Sequence, residues 1–189
     1  MTTVTTETWT LPSGRGLTCA DLDSVPDDGW RYELIDGVLI VSPAPRLVHQ
    51  RVVAGMYRAL HAACPPGLEV LFAPLDVVLA EDTKLQPDLL VAPPTSFTDT
   101  NLPGAPVLAV EVLSKSTRGV DLLLKKDRLQ RAGCAHYWVI DPDEPSILAW
   151  ALVDGMYREV ARATAEQTFG VTEPFACLLY TSDAADDSL

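Results

Sequence analysis

Two acidic residues stand where acids are costly. Asp88 follows Pro87 and opens the apolar run Leu89-Leu90-Val91, and Glu111 lies inside Leu108-Ala109-Val110-Glu111-Val112-Leu113. A carboxylate withdrawn from water needs a cation, a hydrogen-bonding partner or a raised pKa. For either acid alone, a strand-end ion pair with a neighbour is a sufficient reading. Together, at the ends of neighbouring strands, they could share a divalent metal through hard oxygen ligands. Such a metal polarises a phosphoryl oxygen or lowers the pKa of an attacking water. A basic side chain would complete the set by positioning that water or neutralising the developing charge. Other chemistries lack parts: the chain has no GxxxxGK[ST], GxSxG, HExxH or GxGxxG. His49, His61 and His136 are the only histidines, which argues against a histidine-rich metal site.

The elements that must position these acids follow from periodicity and turn residues. Arg31–Ile35 and Val38–Val41 flank Asp36-Gly37, and Ile147–Leu152 and Met156–Ala161 flank Asp154-Gly155. Each pair reads as a hairpin, because both turn positions need positive φ. Thr18 is placed to cap a short helix over Cys19–Ser24. Val48, Val52, Met56, Leu60 and Ala63 recur at helical spacing over Leu47–Ala63, ended by Pro65-Pro66-Gly67. Leu68–Phe72, Asp76–Ala80 and Asp88–Ala92 read as strands, the last two joined by a turn at Glu81–Lys84. Val107–Leu113 reads as a central strand covered on both faces, and Ala135–Ile140 as another. Between them a helix is expected from Val120 to Ala132, with Gly133 as its left-handed terminator.

The length of 189 residues suits one domain with a proper core. Residues 1–17 read as a loose Thr-rich arm, 18–176 as the domain, and 177–189 as a disordered or foreign tail. Cys19, Cys64, Cys134 and Cys177 are scattered, which argues against a zinc site or a disulfide framework. The first ten residues lack the pattern of a signal peptide, and no apolar run reaches membrane-span length. A cytoplasmic location without membrane contact is the expectation. The net charge of −12 argues against a protein that coats nucleic acid. It leaves room for a nuclease, since bound metal ions supply positive charge locally. Six of the fourteen basic residues crowd between Lys115 and Arg131, for which a solvated helix face is the plain reading.

Pro87-Asp88, a spacer and Glu111-Val112-Leu113 resemble the PD-(D/E)XK nuclease signature, with leucine where lysine is usual. The surrounding order is more specific. Tyr32-Glu33-Leu34-Ile35-Asp36-Gly37, Ser42-Pro43-Ala44-Pro45, His49-Gln50 and Gln86-Pro87-Asp88-Leu89-Leu90-Val91 come first. Glu111-Val112-Leu113-Ser114, Ser116-Thr117-Arg118, Asp121, Lys125, Ala132-Gly133 and Tyr137-Trp138-Val139-Ile140-Asp141-Pro142 follow. Over Thr18 to Ala161 this resembles the bacterial Uma-two family, a branch of the restriction-endonuclease-like superfamily.

The resemblance implies an α/β fold: a restriction-endonuclease-like core whose central mixed β-sheet is flanked by helices, with additional β-hairpins. It implies metal-dependent cleavage of DNA by Asp88 and Glu111 as ligands, with Glu33 as a third acid and the missing lysine moved to Lys125. Magnesium is the expected ion, with manganese as its substitute. Asp121 and Lys125 are four apart and share a helix face, which makes the move reasonable. Lys115 is the competing lysine, and Lys126 points elsewhere around the helix. His49 is a candidate for phosphate contact or proton transfer, against a structural role, and Gln50, Lys115 and Arg118 are further candidates for substrate contact. Gln86 could orient Asp88. Tyr137 and Trp138 read as core. Two other readings stay open: a binding module that keeps the fold without activity, and a structural homodimer in which Glu33, Glu111 and Lys125 form a buried ion network.

Overall fold

The computed structural model describes residues 10–23, 25, 28–164 and 167–180. After a 3₁₀ turn at Cys19–Leu22 come β1 (Arg31–Ile35), β2 (Val38–Ser42), α1 (Leu47–Ala63), β3 (Glu69–Phe72) and β4 (Asp76–Ala80). Next are β5 (Thr83–Leu85), β6 (Leu89–Ala92), β7 (Asn101–Pro103) and β8 (Leu108–Val112). A π-helical segment, Val120–Lys125, leads directly into α2 (Lys126–Arg131). The chain continues through β9 (His136–Asp141), β10 (Ser146–Val153), β11 (Met156–Thr164), β12 (Thr168–Val171) and β13 (Cys177–Tyr180).

The central sheet has six strands in the order β11-β10-β9-β8-β6-β3 and is mixed. β8 and β9 run parallel, and the other ladders are antiparallel. The parallel pair requires a crossover, supplied by the π segment and α2. Side-chain alternation along β8 then sets two faces. Val110 and Val112 pack with Val52, Met56 and Leu60 of α1, whereas Ala109 and Leu113 pack with Leu129 of α2. Glu111 shares parity with Ala109 and Leu113, so it lies on the α2 face.

That face also carries a second sheet, of five strands in the order β2-β1-β5-β4-β7. Ile35 and Leu85 of this sheet join Ala109, Leu113 and Leu129 in one buried cluster. The expectation that a turn at Glu81–Lys84 joins Asp76–Ala80 to Asp88–Ala92 is therefore corrected. β4 turns back into β5 within the five-stranded sheet, and Gln86-Pro87-Asp88 then carries the chain across to the six-stranded one. β5 is three residues long and too short to declare a period.

Both Asp-Gly turns form as expected. Asp36 and Gly37 adopt φ of 49° and 78°, and Asp154 and Gly155 adopt 51° and 75°. Gly133 has φ 82° and ends the α2 helix. The expected tail at 177–189 starts too early. Cys177–Tyr180 pairs antiparallel with Thr168–Val171, and Phe169, Phe175, Cys177 and Leu179 are buried against the α1 face of the sheet. Residues 181–189 and most of the expected arm at 1–17 lie outside the described residues. No helix among the described residues is long and apolar enough to cross a membrane.

Candidate active site

β6 and β8 bring the two sequence-predicted acids together. Leu89 pairs with Val110, so Asp88, one residue before, falls opposite Glu111, one residue after. Both then face the α2 side of the sheet. The Val112 N–H donates to Asp88 Oδ2 at 2.8 Å, which ties the start of β6 to the end of β8.

β1 of the other sheet faces this pair. Alternation along Arg31-Tyr32-Glu33 sends Arg31 and Glu33 inward, while Tyr32 and Leu34 pack outward with Leu17 and Leu22. The Gln86 backbone N–H donates to Glu33 Oε1 at 2.8 Å. Gln86 thus holds Glu33 through its backbone, and its side chain donates instead to Asp76 Oδ1 at 2.8 Å. Asp36, at the tip of the hairpin, pairs with Arg128 at 3.1 Å and Arg131 at 2.5 Å, clasping β1 to α2.

The π segment brings in the lysine. Lys125 Nζ lies 2.9 Å from Glu33 Oε1, 3.0 Å from Glu111 Oε1 and 3.2 Å from Asp121 Oδ1. All four side chains are sealed, with Lys125 only 2% exposed. Burial pushes the Glu111 carboxyl well above the usual range, Lys125 opposes that shift, and the surrounding acids add to it. Burial likewise raises Asp121. Burial works against the charged form of Lys125, but Glu111, Glu33 and Asp121 outweigh it and lift its pKa well above the ordinary value. The ammonium is therefore fixed at the centre of three acids.

Asp88 has a different set of partners. Its Oδ1 accepts from Arg31 Nη2 at 3.0 Å, and its Oδ2 contacts His49 Nε2 at 3.0 Å. Burial would raise this carboxyl, yet the hydrogen bond from His49 and the Arg31 charge hold it down to about 2. His49 is buried, and its Nδ1 has no hydrogen-bonding partner among the described residues. A cleft of about 410 Å³ opens over the group, lined by Arg31, Glu33, His49, Asp88, Glu111, Asp121 and Lys125, with Pro43–Arg46 and Ser114–Thr117 at its mouth.

The other candidates divide. Lys115 lines the cleft but is exposed, so Lys125 is the lysine among the acids. Lys126 lies over the Trp150 ring, 4.1 Å from its centroid, away from the site. Gln50 is exposed and does not line the cleft. Arg118 is outside it too, paired with Asp141. Tyr137 and Trp138 are fully buried. The sequence does not by itself mark Arg31 as a site residue, and it marks Asp121 only as a helix-face companion of Lys125. The β1 alternation shared with Glu33 was the available signal for Arg31.

The four carboxylates oppose two permanent cations. If every acid ionises, the excess is two negative charges, and the donors are all hard oxygens, the type that magnesium and calcium select. Among the described residues, however, no three His, Cys, Asp or Glu side chains are arranged to share a metal ion. Lys125 occupies the middle of the acids.

The fold has a counterpart among solved structures. A crystal structure from Anabaena variabilis, described as a putative nuclease belonging to DUF820, superposes with a TM-score of 0.70 at 17% identity, covering 89% of this chain and 97% of that one. None of the curated proteins matches the sequence. The model of the family described as "Putative restriction endonuclease", Uma2, matches residues 19–179, and by that match the chain belongs to the Uma2 family.

Proposed function

We propose that this protein hydrolyses phosphodiester bonds of DNA with a divalent metal ion, magnesium or manganese, held by Asp88 and Glu111 with Glu33 contributing. The observation that carries this reading is the convergence of Glu33, Asp88, Glu111 and Asp121 in one cleft, where Arg31 and Lys125 are the Lys and Arg side chains paired with them among the described residues. The ion would polarise the phosphate and lower the pKa of the attacking water. Lys125 supplies fixed positive charge at the floor of the site, where charge develops in the transition state. His49 orients Asp88 through its Nε2–H. Gln86 and the β1 strand hold Glu33 in place.

A second reading has its own support. Lys125 makes three carboxylate contacts where a cation is wanted, and a chain in which that contact is permanent would be a nuclease-fold binding module without activity. Cleavage of plasmid and oligonucleotide substrates across a magnesium and manganese titration decides between the two. On the nuclease reading the wild type cuts, and Asp88→Ala and Glu111→Ala each abolish cutting, because each removes a metal ligand. A wild type that binds DNA and cuts none at any metal concentration establishes the binding module.

A further inference from the structure

The charged groups of the cleft are layered by depth. Lys125, Glu33 and Glu111 have side chains 2% exposed, and Asp88 has 3%. Arg31 is 22% exposed and is the charged member of this cluster that reaches open cleft. An incoming anion meets Arg31 before it meets Lys125, which lies at the floor of the cleft and, at 2% exposed, offers a phosphate almost no surface.

The guanidinium is also only partly used. It carries five N–H donors. One bond goes to Asp88 Oδ1 at 3.0 Å and one to the Gln86 carbonyl at 3.3 Å. The remaining three find no acceptor among the described residues. The two existing bonds fix the plane of the fork, so little rotamer freedom is left to lose when a further oxyanion is bound. The neighbouring rim cations differ. Arg46 is half-exposed and tied to Asp143 at 2.9 Å, and Lys115 is exposed. Both stand at the mouth of the cleft without contact to the acids.

We infer that Arg31 is the residue that binds the substrate phosphate in this cleft, through the donors left over from Asp88 and Gln86, and that Lys125 acts behind it without touching substrate. The inference rests on the nucleic-acid reading above and assigns a phosphate contact within it. It also divides the labour between the two cations. Arg31 governs affinity and its salt dependence, and Lys125 holds Glu33, Glu111 and Asp121 in place.

The test is made in an Asp88→Asn background, where Arg31 no longer pairs with a carboxylate at hydrogen-bond distance, so its removal strands no direct ion-pair partner. Binding of labelled single-stranded and duplex oligonucleotides is measured by anisotropy over a range of potassium chloride, with thermal unfolding recorded for each protein. Each lost phosphate contact lowers the slope of log affinity against log salt by about 0.7 for single strands and about 0.9 for duplex. Arg31→Met with Asp88→Asn should show that drop and roughly tenfold weaker binding relative to Asp88→Asn alone. Arg31→Lys in the same background should keep the slope, since the charge remains, and lose several-fold in affinity with the fork. Equal slopes and affinities for Arg31→Met and its Arg31 parent overturn the assignment of Arg31 and leave the nucleic-acid reading standing. If neither the wild type nor Asp88→Asn binds either oligonucleotide, the nucleic-acid reading itself fails, and this assignment with it.

Discussion

Lys125 is a buried ammonium answered by Glu33, Glu111 and Asp121 at 2.9, 3.0 and 3.2 Å. Removing one partner of such a network strands the rest, which costs about 3–5 kcal/mol. Lys125→Met should lower stability by that order in urea denaturation. Adding Glu111→Gln should recover part of the loss, because one fewer carboxylate is left without a cation. Asp88 makes a pH-dependent contribution of its own. Its folded carboxyl lies at about 2 against an ordinary value of 3.8. A depressed acid contributes stability that is present above the unfolded pKa and is lost as pH falls through the folded one. The wild type should therefore lose about 2 kcal/mol between pH 4 and pH 2 that Asp88→Asn does not lose. Parallel acid limbs for the two proteins would contradict this. The acids themselves were legible in the sequence, since Glu111 interrupts an otherwise apolar strand. Arg31 is legible only in part: strand alternation puts it on the face of Glu33, but its role depends on meeting Asp88, 57 positions later.

The elements place these side chains through a few demanding joints. Gly37 has φ 78°, and a Cβ there would come within 3.2 Å of Gly16 Cα and 3.3 Å of the Leu17 nitrogen. Gly155 has a similar φ of 75° with open space around it. Gly37→Ala should thus cost about 2–3 kcal/mol, combining backbone strain with the clash, and Gly155→Ala only about 1 kcal/mol. Denaturation midpoints of the two variants give the comparison, and equal losses would show that the Leu17 segment yields freely. Continuous apolar runs made β8 and β9 readable, helical spacing of apolar residues α1, and the Asp-Gly turns the two hairpins. β5, β7, β12 and β13 have three or four residues each and exist because a neighbouring strand pairs with them. The small, acidic continuation makes β13 read as tail, yet Leu179 is 5% exposed within the main core. Leu179→Ala should cost about 2–5 kcal/mol, as for any buried leucine. The π segment was equally hidden. Val120–Lys125 contains no helix breaker, and its widened turn presents Asp121 and Lys125 together to Glu33 and Glu111. Such segments are frequent at functional sites.

At the scale of the molecule, a net charge of −12 and a buried excess of carboxylates make the same demand for cations. The sheet that carries Asp88 and Glu111 and the sheet that carries Glu33 meet only in the folded state, so an ion shared between them binds the native chain and not the unfolded one. Binding of that kind raises stability by RT ln(1 + [ion]/Kd), about 2.7 kcal/mol at a hundredfold excess over Kd. Screening of surface repulsion also stabilises an acidic protein, but any salt of equal ionic strength provides it. The measurement is therefore thermal unfolding in magnesium chloride against potassium chloride matched in ionic strength. The wild type should gain several degrees from magnesium beyond the matched salt, and Asp88→Asn and Glu111→Gln should lose that difference while keeping the response to potassium. Lys125→Met, with the central ammonium gone, should bind magnesium more tightly than the wild type and show the larger shift, because a positive charge about 3 Å from Glu111 no longer opposes the ion. An identical response to the two salts in all four proteins would mean that the acids serve only Lys125 and Arg31, and would leave a structural ion network in place of a metal site.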